Sequence, residues 1–385
     1  ENASKNALLP AVLRRGCSKF PSQQEIALEL ERLYGAVFDC GVVKKGERQI
    51  LHFYIDHISD KYTDNDINVF ERAFDLMYEI ITNPVVKNGA FREDYVEQEK
   101  NNLKNLINGR INDKMHYAIE RCFEVMCEDE PFGIYEYGSV DQVAKIDGKE
   151  LYEHYKKVLE TLPITVFIAG DVEERKIKHV VEKLSAIKRG NIKKVDISFV
   201  NKKVEKVKNV TERMNVTQGK LSLGFRTNTC ANDKDYYALV VCNGILGVGV
   251  HCKLFQNVRE KASLAYYAMS RLERYKGLMI ITSGIETANK EKAQEIMLKQ
   301  IEEIKTGNIS DFEYESTLKV LENGIKSLTD SQLNMVDFYL SQMIANTNDD
   351  FETIVEKYKS VKKQDVVEVA HKIQLDTVYF LTSNE

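Results

Sequence analysis

A chain of 385 residues has room for two or three domains at roughly 150 residues each. Its 43% hydrophobic and 29% charged residues, with only 5 prolines, describe a packed globular protein and exclude a disordered or fibrous one. With 54 Lys and Arg against 59 Asp and Glu, a net charge of -5, nothing general in the electrostatics favours nucleic acid or an anionic membrane.

In chain order, Ala3 to Leu13 predicts a helix ending at Arg14-Arg15-Gly16. Ser22-Gln23-Gln24-Glu25 is a capping-box pattern, and Ile26, Leu30 and Leu33 give the helix behind it an apolar face. Ala36–Val43 and Gln49–Asp56 read as strands joined by a turn at Lys44-Lys45-Gly46-Glu47. Ile67, Phe70, Phe74, Met77 and Ile81 predict a long amphipathic helix stopped by Asn83-Pro84. A helix begins after Phe91, and a later one over Leu151–Leu159 feeds an apolar strand at Ile164–Ala169.

The same plan then recurs. Asp233–Leu246 predicts a helix reaching a turn at Gly247-Val248-Gly249, followed by a helix over Lys253–Lys261. Strands at Leu264–Leu272 and Gly277–Ile285 flank a turn at Glu273–Lys276. Ala293, Met297, Ile301 and Ile304 mark the long helix, and Leu318, Leu321, Ile325 and Leu328 the next. Asp365–Ile373 closes into the strand Thr377–Leu381.

The repeat predicts an α+β fold of two homologous domains, each an antiparallel or mixed sheet with helices on one face. The first domain spans 1–190 and the second 213–385. Residues 191–212, rich in Lys, Asn and Glu, read as a solvated linker, with one strand around Val195–Val200. The second half has a strand, Gly219–Thr227, ahead of its first helix, whereas the first half begins at the helix. The expectation is that an opening strand upstream of Glu1 is missing from this chain.

Local chemistry is sparse. His52 and His57 stand five apart at the end of a strand, which places them on opposite faces. His116 and Glu120 are an ordinary helix-face pair. Cys242, His251 and Cys252 surround a glycine turn without a fourth donor. Gly244-Ile245-Leu246-Gly247-Val248-Gly249 lacks the Gly-Lys-Ser/Thr ending of a phosphate loop and follows a helix, so it reads as a helix–helix turn. No Gly-x-Ser-x-Gly elbow is present. The seven cysteines form no Cys-x-x-Cys pair and read as reduced thiols, which places the chain in the cytoplasm. Ala238–Val250, the longest apolar stretch, is broken by Asn243 and falls short of the roughly 20 residues that cross a bilayer. The residues at Glu1–Lys5 do not resemble a signal peptide.

The run Cys252-Lys253-Leu254-Phe255-Gln256-Asn257-Val258-Arg259-Glu260-Lys261-Ala262-Ser263-Leu264-Ala265-Tyr266 closely resembles the second-domain motif of the pitrilysin/insulinase family. These are the inverted zincins, which include mitochondrial processing peptidase. The duplicated plan is similar to that family over essentially the whole chain, and implies domains of the mitochondrial-processing-peptidase type. Catalytic members carry H-x-x-E-H on the opening helix. Here the histidine positions are Ala7 and Ala11, the glutamate position is Pro10, and the third ligand position, counted seven from Glu99, is Leu106. Zinc needs N, O or S donors, and these side chains supply none.

The resemblance implies no cofactor in this chain and zinc in a paralogous partner subunit. It further implies a substrate-binding, non-catalytic subunit without peptidase activity of its own, which supplies Arg259 and Tyr266 in trans for cleavage of a peptide. Arg259 would donate to a substrate carbonyl and Tyr266 to the oxygen that becomes negative in the tetrahedral intermediate. The alternative is a scaffold or assembly protein of the same fold with no role in proteolysis. Isolated chains are compatible with a homodimer.

Overall fold

The computed structural model describes residues 2–63, 67–195 and 202–384. The chain divides into two compact units. One holds Glu1–Gly109 with Tyr135–Asp196, the other Arg110–Ile134 with Ile197–Glu385. The crossing of Arg110–Ile134 into the second unit departs from the sequence-order split at 190.

The first unit runs α1 (Ala3–Leu13), α2 (Gln23–Arg32), β1 (Val37–Lys45), β2 (Arg48–Asp56), α3 (Val69–Thr82), the short pair β3 (Val86–Lys87) and β4 (Ala90–Phe91), and α4 (Glu93–Gly109). After the crossing segment it resumes with α6 (Val140–Lys145), α7 (Gly148–Thr161) and α8 (Glu174–Ser185). Ser22 caps α2 as its pattern predicts, accepting from the Glu25 N–H. β1 and β2 form the expected antiparallel hairpin, Val37 opposite Asp56 and Lys45 opposite Arg48. On α3 the buried stripe is Val69, Ala73, Leu76 and Ile80 with Phe74. This is rotated from the predicted stripe of Ile67, Phe70, Phe74, Met77 and Ile81, of which only Phe74 is fully buried.

Helix α1 is pinned by a polar chain. The His154 Nε2–H of α7 donates to Asn6 Oδ1 at 2.7 Å, Asn6 Nδ2 donates to Gln49 Oε1 at 2.8 Å, and Gln49 Nε2 donates to the Ala3 carbonyl at 2.9 Å. Burial, with repulsion from Lys5 and Lys157, lowers the His154 pKa to about 4. The unfolded chain therefore takes up a proton near pH 6.5 that the folded chain refuses until about pH 4. This contribution to stability is complete above pH 6.5 and is lost as the pH falls toward 4. Denaturation midpoints across that window should fall with pH in the wild type, and less steeply in His154→Gln.

The predicted strand Ile164–Ala169 forms no strand in the structure. Ile164, Val166 and Ile168 are exposed. The reason lies in the repeat, because the second unit seats the equivalent strand against a neighbour for which the described residues of the first unit have no counterpart. Apart from Val195, the strand expected at Val195–Val200 lies outside the described residues.

The second unit comprises α5 (Lys114–Met126), β5 (Lys208–Arg213), β6 (Gly219–Arg226), α9 (Tyr236–Gly247), a π-helical segment (Phe255–Lys261), β7 (Ala265–Glu273) and β8 (Leu278–Ile285). Helices α10 (Lys290–Lys305), α11 (Asp311–Leu328), α12 (Gln332–Ala345), α13 (Phe351–Ser360) and α14 (Lys363–Ala370) follow, and then β9 (Gln374–Thr382). Its mixed sheet has the order β5-β9-β6-β8-β7, with β5 parallel to β9 and the other pairs antiparallel. β5, all but its last residue, falls inside the segment read as linker, at 191–212. Its alternating exposure is that of a solvated edge strand, which in composition looks like a linker.

One sheet face, with Leu221, Leu223, Phe225 and Ile281, joins the core formed with Leu239, Ile245 and Met297. The opposite face is covered by α5, whose Ala118, Ile119 and Cys122 pack with Ile280, Tyr379 and Leu381. Beyond α5, Glu130 accepts from Arg226 Nη2 at 2.7 Å and pairs with Lys276 Nζ at 3.0 Å, and Arg226 Nε donates to Asp376 at 2.8 Å. All four side chains are buried, so this network bolts Arg110–Ile134 to the second sheet.

The glycine-rich run is not the predicted inter-helix turn throughout, since Gly244 and Gly247 lie within α9. A Cβ on Gly247 would stand 2.3 Å from the backbone nitrogen of Ser270 on β7. Gly247→Ala should therefore destabilise by roughly 1–3 kcal/mol, despite the roughly 1 kcal/mol that alanine gains over glycine in a helix. Urea denaturation reads the sign directly.

Candidate functional site

The motif around Arg259 and Tyr266 is built on an irregular backbone. After α9 the chain turns through Gly249, at φ +83°, and re-enters a helix at Lys253. The Phe255 N–H donates to Cys252 Sγ at 3.4 Å. Lys253 pairs with Glu313 at 3.0 Å, both side chains largely buried, while Leu254 and Val258 enter the core. Asn257 Nδ2 donates to Gln300 Oε1 of α10 at 2.7 Å. From Phe255 to Lys261 the helix is π, a form concentrated at functional sites.

These anchors leave Arg259 outside the core. Its guanidinium lies 4.6 Å from the Phe255 ring centroid. Its approach to Glu260, at 3.8 Å with both side chains about half exposed, is too loose to hold it. The chain then reverses at Ser263, φ +50°, and enters β7. Ala265 pairs with Ile285 and Tyr267 with Gly284, so Tyr266 is the extra residue of a bulge. Bulges re-aim side chains, and Tyr266 is 78% exposed. Both residues are thus displayed from a rigid base, as an arginine fork and a phenol that can donate hydrogen bonds. Neither the π-helix nor the bulge is legible in the residue pattern.

The metal position belongs to the first unit. Ala7 and Pro10 are buried in α1, Ala11 lies partly exposed one turn from Ala7, and Leu106 on α4 is 51% exposed. The Glu99 carboxylate is taken by Arg15. Cys40 Sγ donates to the Pro10 carbonyl at 3.3 Å, and burial pushes its thiol up to about 12, the reverse of what a thiolate ligand needs. His52 Nδ1 is buried without a hydrogen-bond partner. Yet among the described residues no three His, Cys, Asp or Glu side chains converge. Zinc does not fit the donor set.

Nor do the other histidines converge. His57 lies beyond the end of β2, His116 is taken by its own helix cap Asp113, and His251 pairs with Thr317 at 2.9 Å. Cys242 and Cys252 are buried free thiols. Among the described residues no helix is long and apolar enough to cross a membrane.

A repeated α+β scaffold whose expected metal position carries no donor defines the class as peptidase-like without the zinc-binding motif. A family profile described as the peptidase M16 inactive domain matches residues 145–321. A probable inactive metalloprotease, YmfF of Bacillus subtilis, is 34% identical over 100% of this chain and 90% of its own length. The crystal structure of a conserved protein from Enterococcus faecalis superposes with a TM-score of 0.91 at 29% identity, covering 100% of this chain and 90% of that one. The peptidase M16 inactive domain from Pseudomonas fluorescens shares the fold, with a TM-score of 0.79 at 16% identity over 99% of this chain and 89% of that one. The chain belongs to the M16 peptidase family, the pitrilysin type, as an inactive member lacking H-x-x-E-H.

Proposed function

We propose that this chain is the substrate-binding, non-catalytic subunit of a heteromeric peptidase, acting in the cytoplasm beside a paralogous subunit that carries the zinc. The observation that carries the reading is the contrast between its two sites. The metal position has lost every donor, while Arg259 and Tyr266 are kept, anchored from beneath and displayed. An exposed tyrosine on a bulge contributes nothing to the core, so its display favours contact with a ligand.

In this role the Arg259 fork donates to a peptide carbonyl and holds the chain in register. The Tyr266 hydroxyl donates to the scissile carbonyl oxygen, and the bond strengthens as charge develops there. No step of hydrolysis is assigned to the first unit of this chain. The test is to purify the chain from its native cell with whatever accompanies it, then measure zinc and peptide cleavage in the complex and in the separated chain. Zinc or cleavage in the separated chain would refute the reading. Unaltered cleavage by a complex carrying Arg259→Ala or Tyr266→Ala would instead favour a scaffold.

A further inference from the structure

The sheet face that α5 covers is only partly closed. α5 packs on β6 and β9 with a smaller contact on β8, leaving a strip between α5 and the edge strand β7. Strand register fixes its composition, because residues paired across strands point to the same face. Lys220, Gly284 and Tyr267 form one row, and Thr282 with Met269 the next. Arg271 follows two residues further along β7.

The first row is shaped by its glycine. The position of a Gly284 Cβ would lie 2.7 Å from a Tyr267 ring carbon and 2.6 Å from Gln218 Oε1. With no side chain there, the Tyr267 ring reclines across the strand, and Lys220 Nζ sits 5.6 Å from its centroid. The amine is half-buried and donates to Gln218 Oε1 at 2.5 Å. Neither Lys220 nor Arg271 has an ion-pair partner among the described residues. Asp113, the carboxylate acting on Lys220 through space, is already occupied by the His116 N–H at 3.1 Å and by His116 Nδ1 at 2.6 Å. Burial lowers the Lys220 pKa despite Asp113. A partly desolvated cation over an aromatic ring gains from an incoming carboxylate more than a solvated one does.

We propose that this strip is an acidic-residue subsite, in which Lys220 and Arg271 receive carboxylates of an extended peptide running along β7. The inference rests on the substrate-binding reading and specifies its substrate class. Tyr266 adjoins Tyr267, so a scissile carbonyl at Tyr266 puts the first carboxylate within one or two residues of the cleaved bond. Arg271 lies four residues along β7 from Tyr267, about 13 Å at roughly 3.3 Å per residue, which matches a second carboxylate about four residues from the first.

The test uses fluorescein-labelled decapeptides carrying two Glu four residues apart, or two Gln at the same places, titrated with the full chain by anisotropy. The Glu peptide should bind roughly tenfold tighter at low ionic strength and lose that preference in high salt. Lys220→Met and Arg271→Met should each cut the preference about threefold. Lys299→Met, on α10, should not change it. Lys220→Gln repeats the test with a polar replacement, and unchanged melting temperatures confirm folding. Equal binding of the two peptides, no binding of either, or a preference untouched by both Met substitutions overturns the proposal. If the preference holds but Tyr266→Phe leaves cleavage by the assembled pair unaltered, the catalytic role falls while the anion subsite stands.

Discussion

On the proposed in-trans role, replacing Tyr266 by Phe is expected to slow peptide cleavage by the assembled pair roughly 100- to 1,000-fold without weakening the fold. The size follows from removing one hydrogen-bond donor aimed at a developing negative charge. Tyr266 is already 78% exposed, so stability should change by no more than about 0.5 kcal/mol. Steady-state kinetics separate the roles. Tyr266→Phe should lower kcat with KM nearly constant, because its bond matters most in the transition state. Arg259→Ala should raise KM as well, since in the proposed role its fork also holds the ground-state peptide. Arg259→Lys should recover only part of the loss, because an ammonium cannot make the planar fork. If all three variants match wild type, the in-trans role is wrong and a scaffold function is preferred.

Glu130→Ala should destabilise the second unit by about 3–5 kcal/mol, the largest loss of stability expected from any change described here. Glu130 pairs with Lys276 and is one of two carboxylates that Arg226 meets. Removing it takes a carboxylate from two buried cations at once, and leaves Arg226 with Asp376. Burial alone would raise the Glu130 pKa, but Arg226 and Lys276 more than offset it and hold it below the usual carboxylate value. The stabilisation is therefore present at neutral pH and is lost as the pH falls through that lowered value. Glu130→Gln should cost less than Ala, since its amide oxygen can still accept one hydrogen bond. Urea titrations of both variants at neutral pH check the order. A loss below about 1 kcal/mol would place the network among weakly contributing surface pairs.

The elements that sequence pattern located best are those whose partners lie close in the chain. The hairpin of β1 and β2 is specified by alternation on both sides of Lys45-Gly46-Glu47, and the register Lys45 opposite Arg48 follows from that turn. The missing zinc donors were equally legible, because an inverted-zincin metal site requires particular side chains at fixed spacing and Ala7, Pro10, Ala11 and Leu106 are chemically mute. The Arg259–Tyr266 motif was legible as residues but not as geometry. The π-helix is held by long-range anchors, Lys253–Glu313 and Asn257–Gln300, and the bulge at Tyr266 lies in the pairing of β7 with β8, none of which a local period encodes.

Sequence by itself determined the repeated α+β plan, the family and the loss of the metal donors. Each of these depends on local hydrophobic periodicity or on the identity of single side chains. Only the tertiary structure decided that Arg110–Ile134 belongs to the second unit, that Lys208–Arg213 is an edge strand, and that Lys220 and Tyr267 share a sheet face across Gly284. Those outcomes depend on partners far apart in the chain. Glu130 reaches Arg226 and Lys276, β5 pairs with β9, and the row at Gly284 joins three strands. The free energy of such contacts appears only when the chain is packed, so no stretch of sequence read alone carries their signal.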